Sequence, residues 1–201
     1  MKKSRKIIIS LIVIILIAII GLIVYKTVFN NSQEEVKIIK SIKNYDYNLK
    51  ENETELYKTE FNELDKILSK KNVDYEEYAK SIAKLFIIDF YTLNNKLSKN
   101  DIGGTEFIKE DMRDNFIEEA RSTFYKYVEV IDGRTQELPE VSSITDVSVE
   151  KTEFKYSDKT IDENAYKVSI SWDYVEDLGY EKEASMIIVK QDKKLYIVEM
   201  D

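Results

Sequence analysis

Residues Ile7 to Val24 run for eighteen positions without a charge, and Lys2, Lys3, Arg5 and Lys6 crowd the segment just before them. Such a stretch has few ways to fold. As a helix rising ~1.5 Å per residue it spans roughly 27 Å, close to the ~30 Å hydrocarbon core of a bilayer. A helix also satisfies its own backbone hydrogen bonds there. The positive-inside bias keeps the basic flank cytoplasmic and sends everything beyond Phe29 to the far side. The expected layout is a cytoplasmic basic segment at 1–6, a transmembrane helix at 7–29, a tether and N-terminal segment at 30–52, and an extracytoplasmic domain at 53–201. The competing reading is a cleaved signal peptide. The run exceeds the ~7–15 residues of a signal core and leads into Val24-Tyr25-Lys26-Thr27-Val28-Phe29 without small residues at a cleavage position, so retention is expected. Membrane lipid is then the first partner, and the cell membrane the location.

Composition narrows the function of the remainder. Five of the 30 cationic residues lie at or before Lys26, where there is no acid, which leaves 25 against 38 acids and a net charge of −13 beyond it. An acidic ectodomain lacks the clustered Lys and Arg that neutralise phosphates, so nucleic acid is not an expected partner. Cysteine and histidine are both absent. Disulfides, thiol nucleophiles, imidazole bases and the common zinc ligands go with them. The roughly 170 residues after the anchor suit one domain with a real core.

Polar residues Asn30 to Glu35 read as the tether, and Val36 to Ile42 is compatible with a strand or a helical turn. A first helix is expected from near Glu53 to about Lys71, with Leu56, Tyr57, Phe61, Leu64, Ile67 and Leu68 on one face. Asp74 offers an N-cap, and Glu77 the matching capping-box acid, for a second helix carrying Tyr78, Ile82, Leu85, Phe86, Asp89 and Leu93 inward. Leu85 to Tyr91 is apolar almost all round, the pattern of a buried helix. Gly103-Gly104 reads as a tight turn with positive φ. A third helix is expected over roughly Phe107 to Val130, breaking near Asp132-Gly133. Beyond Pro139 the period drops to two, around Ile144 to Tyr156, Tyr166 to Tyr174, Ala184 to Val189 and Leu195 to Val198. Four antiparallel strands follow, with turns at Asp177 to Tyr180 and Gln191 to Lys194.

About three helices followed by a curved four-stranded antiparallel sheet is an α+β layout, and from Glu53 to Asp201 it resembles the cystatin-like cone of the nuclear-transport-factor-like superfamily. With the anchor ahead of it, the order of elements also resembles bitopic assembly subunits of conjugation and type IV secretion systems. Phe86 to Tyr91, Asn100 to Gly104, Trp172-Asp173-Tyr174 and Leu178-Gly179-Tyr180 resemble segments of an uncharacterised group of anchored proteins from low-GC Gram-positive bacteria. That resemblance implies a location and no mechanism.

Asp89 is the most suggestive single residue, a carboxylate inside an apolar helix. One reading makes it a base, its pKa raised by burial and with Tyr91, Tyr125 or Tyr174 donating to it. The other makes it a structural acid bonded to Asn94, Asn95 or Lys96. Trp172 and Tyr174 share one face of a strand and line a ligand pocket or pack on the helices. The candidate ligand-binding set is therefore Asp89, Tyr91, Trp172 and Tyr174. The tyrosines at 45, 47, 57, 75, 78, 125 and 127 form either a recognition surface or a boundary layer. Asp101 to Thr105 has no Walker or Rossmann spacing. The acids at Glu110, Asp111 and Asp114, and at Asp158, Asp162 and Glu163, lack an EF-hand pattern. No catalytic residue, metal or cofactor is expected. The sequence points to a non-enzymatic protein-interaction or assembly module, with a small-ligand-binding or hydrolytic cone using Asp89 and nearby tyrosines as the alternative.

Overall fold

The computed structural model describes residues 39–201. The expected transmembrane helix at 7–29, its basic flank and the polar tether at 30–35 lie outside the described residues. No helix among the described residues is long and apolar enough to cross a membrane.

The described chain opens with a small hairpin, β1 (Ser41–Ile42) on β2 (Tyr47–Asn48), so the end of the 36–42 segment is strand. Asp46, at φ 59°, makes its turn. Helix α1 (Glu55–Leu68) starts two residues later than expected, because Thr54 caps it by accepting from the Tyr57 N–H at 3.2 Å. Helix α2 (Tyr75–Tyr91) starts where the sequence places it, with Asp74 accepting from the N–H groups of Glu76 and Glu77. The Glu77 carboxylate turns to Lys80 and makes no capping-box bond.

Twelve of the seventeen residues of α2 are buried. It packs on α1 and on strands β3 (Val141–Lys155), β4 (Ile161–Tyr174) and β6 (Lys194–Met200). Full burial of a Leu, Ile or Phe side chain is worth about 1.5–3 kcal/mol, so this helix is the main source of core stabilisation.

The third helix is shorter than the periodicity suggests. A 3-10 turn at Thr105–Phe107 precedes α3 (Glu110–Ser122). The chain then leaves helical geometry at Thr123 (φ −117°, ψ −93°). The cause is Tyr125, which turns inward and is fully buried, its hydroxyl donating to the Phe90 carbonyl at 2.6 Å and accepting from the Gly103 N–H at 3.1 Å. Apolar positions from Phe124 to Val130 therefore mimic helical spacing without continuing the helix.

Strands β3, β4, β5 (Glu183–Gln191) and β6 form one antiparallel meander in that order. Shifts in register at Val141/Ser143, Ile144/Asp146, Thr152/Phe154 and Ile187/Ile188 bend it. Val168, Ile170, Trp172, Met186, Ile188, Leu195 and Ile197 face the helices. By alternation Ala165 and Val189 face away, and they pack with Val198, Phe154 and Tyr156 in a second small cluster. The two expected turns are present: Asp192 (φ 55°) in the two-residue β5–β6 loop, and Gly179 (φ 79°), whose N–H is held by the Asp177 carboxylate. Trp172 and Tyr174 stand near the end of β4.

Candidate functional site

Asp89 lies in the last turns of α2 with 1% of its surface exposed. Lys96, equally buried, donates to one carboxylate oxygen. The other oxygen accepts from Lys50 Nζ at 3.1 Å and from the Gly104 N–H at 2.7 Å. Burial pushes this carboxyl up, but the Lys96 and Lys50 ammonium groups outweigh it and hold Asp89 below the usual carboxylate range. The donors are thus two lysines and a backbone amide. Tyr125 spends its hydroxyl on Phe90, and Tyr174 donates to the Glu181 carbonyl at 2.8 Å. Of the sequence-level partners, Lys96 is the one present.

Two more acids complete the cluster. Glu53, just before α1, is 5% exposed and lies 3.9 Å from Lys50. Burial and the adjacent Asp89 charge raise it to about 7 against the pull of Lys96 and Lys50. Glu106, in the 3-10 turn, accepts from the Tyr57 hydroxyl at 3.1 Å, and burial moves its pKa upward too. Three carboxylates thus meet two ammonium groups.

The cluster fastens a loop. Gly103 passes so close to α2 that a Cβ there would sit 2.1 Å from the Asp89 carbonyl oxygen. Gly104 has φ 71°, and a Cβ on it would strike the Phe86 ring at 2.5 Å. Only the second glycine meets the positive-φ expectation. The first is required by close approach.

Tyr91 belongs to a different place. It borders an open apolar groove of about 650 Å³ between α3 and β6. Phe86, Phe90 and Tyr91 of α2 line its base, and Met112, Phe116 and Ala120 of α3 line one wall. The residues at 197–200 of β6 and the loop at 179–181 complete it. The groove's lining includes neither Asp89, Trp172 nor Tyr174. Trp172 packs on Tyr91 with ring centroids 4.7 Å apart and planes tilted by 43°, and Tyr174 packs on Tyr180 at 6.2 Å. Burial pushes the Tyr174 phenol up to about 12. The structure therefore separates the four sequence candidates: Asp89 in an ion cluster, Tyr91 at the groove, Tyr174 in packing, and Trp172 both packed on Tyr91 and bordering a second open cleft of about 960 Å³ with Ser169, Ser171 and Asp173.

Of the seven tyrosines weighed as a recognition surface, Tyr47, Tyr57, Tyr78 and Tyr125 are core residues. Lysines cover others: Lys190 lies 4.0 Å from the Tyr75 ring centroid and Lys193 5.3 Å from that of Tyr45. Tyr127 is exposed. Among the described residues, no group of three or more acids is placed to hold a metal ion. Lys50, Glu53 and Glu106 escaped sequence reasoning because each sits among other charged residues with no pattern to single it out. The groove escaped it because Met112, Phe116 and Ala120 fall at ordinary helical spacing within the expected third helix. The chain matches no protein-family model, no curated protein and no solved structure.

Proposed function

We propose that the chain is a single-pass membrane protein, N-terminus cytoplasmic, whose extracytoplasmic α+β domain acts as a non-enzymatic protein-interaction or assembly module. The observation that carries the interaction reading is the open groove, about 650 Å³ with an apolar base of Phe86, Phe90 and Tyr91. The anchor reading rests on the uncharged run at 7–24 with its basic flank. Three helices on a bent antiparallel meander support a cystatin-like cone, and with it a role as an accessory subunit of conjugation or secretion machinery. Against a hydrolytic cone stands the use of Asp89: a general base must reach a substrate proton, and both oxygens of this one are taken by lysines and a backbone amide deep in the core.

Two measurements test the proposal. Protease added to intact cells is expected to remove the acidic C-terminal domain while leaving a fragment containing the run at 7–24 in the membrane. Full protection of the domain, or mature protein lacking its first thirty or so residues, refutes the anchor. Crosslinking in native membranes is expected to trap a discrete protein partner. A turnover that Asp89→Asn abolishes without unfolding the domain would refute the non-enzymatic reading.

A further inference from the structure

The open groove has a backbone wall. Ile197 and Met200 pack on the helix side of the sheet and Val198 in the cluster on its other side, yet residues 197, 198, 199 and 200 all line the groove. What faces it is therefore the edge of β6, the last strand of the meander. The first part of that edge is covered. The Leu195 N–H meets the Tyr78 hydroxyl at 3.5 Å, and Ile108 forms a parallel bridge to Ile197, whose carbonyl accepts from the Lys109 N–H at 3.3 Å. At Glu110 the chain turns away into α3. Beyond this point no described residue pairs with the edge. Asp201 exchanges both backbone bonds with Ser185, so by the alternation of an antiparallel ladder the N–H and C=O of Met200 point outward. Among the described residues no neighbouring element bonds to them.

The groove is thus the wedge left where Ile108-Lys109 stops pairing with β6 and α3 splays away. The open edge, Val198 to Met200, is about 10 Å long at ~3.3 Å per strand residue. Its charge is one-sided. Glu119, Glu181 and Glu199 border it, no lysine or arginine lines it, and none of the three carboxylates has an ion-pair partner among the described residues.

Resting on the interaction reading above, we propose that this wedge receives a short extended segment of a partner protein, which pairs with the Val198–Met200 edge, sets apolar side chains on Phe90, Phe116 and Tyr91, and turns lysine or arginine toward Glu119 and Glu181. Strand addition to an exposed edge takes affinity from main-chain bonds and specificity from alternate side chains. The edge supplies the first and the acid-bordered apolar groove the second. The occupant is basic because the groove's own acids are uncompensated, and extended because the Ile108-Lys109 segment already runs along the same edge and leaves its continuation open.

The probe is a fluorescein-labelled seven-residue peptide alternating lysine with valine around a central phenylalanine, titrated by polarisation against the full-length chain in phosphatidylcholine nanodiscs. Its twin carries glutamate for lysine, and empty nanodiscs report lipid binding. Saturable binding of the basic peptide alone is expected. Glu119→Lys with Glu181→Lys should weaken it about tenfold or more through like-charge repulsion. Met200→Pro should weaken it about fivefold, the worth of one hydrogen bond; proline is tolerated where an edge N–H faces solvent, and circular dichroism checks that each variant is folded. Equal binding of the acidic twin, or affinities unmoved in the folded variants, overturns the proposal. A photo-crosslinker at Met112 in native membranes separates this proposal from the reading beneath it. Crosslinks from Met112 to another copy of this chain overturn strand docking, and so do partner crosslinks that form only from positions outside the groove, while the interaction module stands. Absence of any partner crosslink from any position overturns both.

Discussion

Glu53 sets how the stability of this domain responds to pH. Its carboxyl titrates near 4.5 in the unfolded chain and at about 7 in the folded one, where burial and the Asp89 charge oppose ionisation. Between those values the folded state holds a proton that the unfolded state has released, so stability falls as pH rises through the window. At about 1.36 kcal/mol per pH unit, that displacement is worth roughly 3 kcal/mol. Glu53→Gln keeps the volume and removes the titration. Urea unfolding of the full-length chain in detergent micelles, at about pH 5 and about pH 8.5, would be followed by fluorescence of Trp172, the single tryptophan and a core residue 1% exposed. The wild type should lose roughly 3 kcal/mol relative to Glu53→Gln between the two conditions. Groups too distant to sense the Glu53 charge cancel in that comparison. Identical pH dependence in the two proteins would refute the placement of Glu53 as a buried acid that ionises only at cost.

Asp89 and its loop give two further expectations. Asp89→Asn leaves the buried Lys96 ammonium without its counter-charge and should destabilise the fold by about 3–5 kcal/mol at neutral pH, read by the same unfolding assay. Because Asp89 is held below its ordinary value, its contribution is complete above the unfolded pKa near 3.8 and is lost as pH falls through the folded one, so the acid-side loss of stability should shrink in the variant. Gly103→Ala drives a Cβ to within 2.1 Å of the Asp89 carbonyl oxygen, which the loop can relieve only by moving. A loss of about 2 kcal/mol or more is expected, the range of steric changes at packed backbone, and hydrogen exchange should show Gly104 losing protection before the strands do.

Periodicity made most of this architecture readable in advance. Asp74 at the head of α2, the all-round burial of Leu85 to Tyr91 and the change of period after Pro139 are local signals, and local structure followed them. The end of α3 was not readable, because Phe124, Tyr125 and Val128 keep helical spacing while the tertiary demand for the Tyr125 hydroxyl at Phe90 and Gly103 pulls the chain out of the helix. Asp89 stood out as a lone acid in an apolar run, but its use depended on Lys50 and Gly104, distant in sequence, as well as on Lys96 seven residues on. The groove depends on where a strand edge stops being covered, which only three-dimensional pairing defines.

The ion cluster and the groove lie at opposite ends of one mechanical connection. Asp89 binds the Gly104 N–H, Gly104 leads into the 3-10 turn at Thr105–Phe107, and the next residues, Ile108 and Lys109, are those that cap the edge of β6 before α3 departs. Buried ion pairs recover little beyond their desolvation cost, and apolar replacements of similar volume often match them in stability. Their advantage over an apolar contact is direction. A carboxylate held by two lysines accepts one backbone N–H at one place, whereas packed aliphatic chains tolerate small slides. Fixing Gly104 in this way fixes the start of the segment that decides how far along β6 the cover extends, and so where the wedge opens. Asp89 would then matter to partner binding without touching the partner. Asp89→Asn should weaken binding at the groove only to the extent that it frees the loop at 103–104, whereas Glu119→Lys should weaken it with the loop still protected from hydrogen exchange.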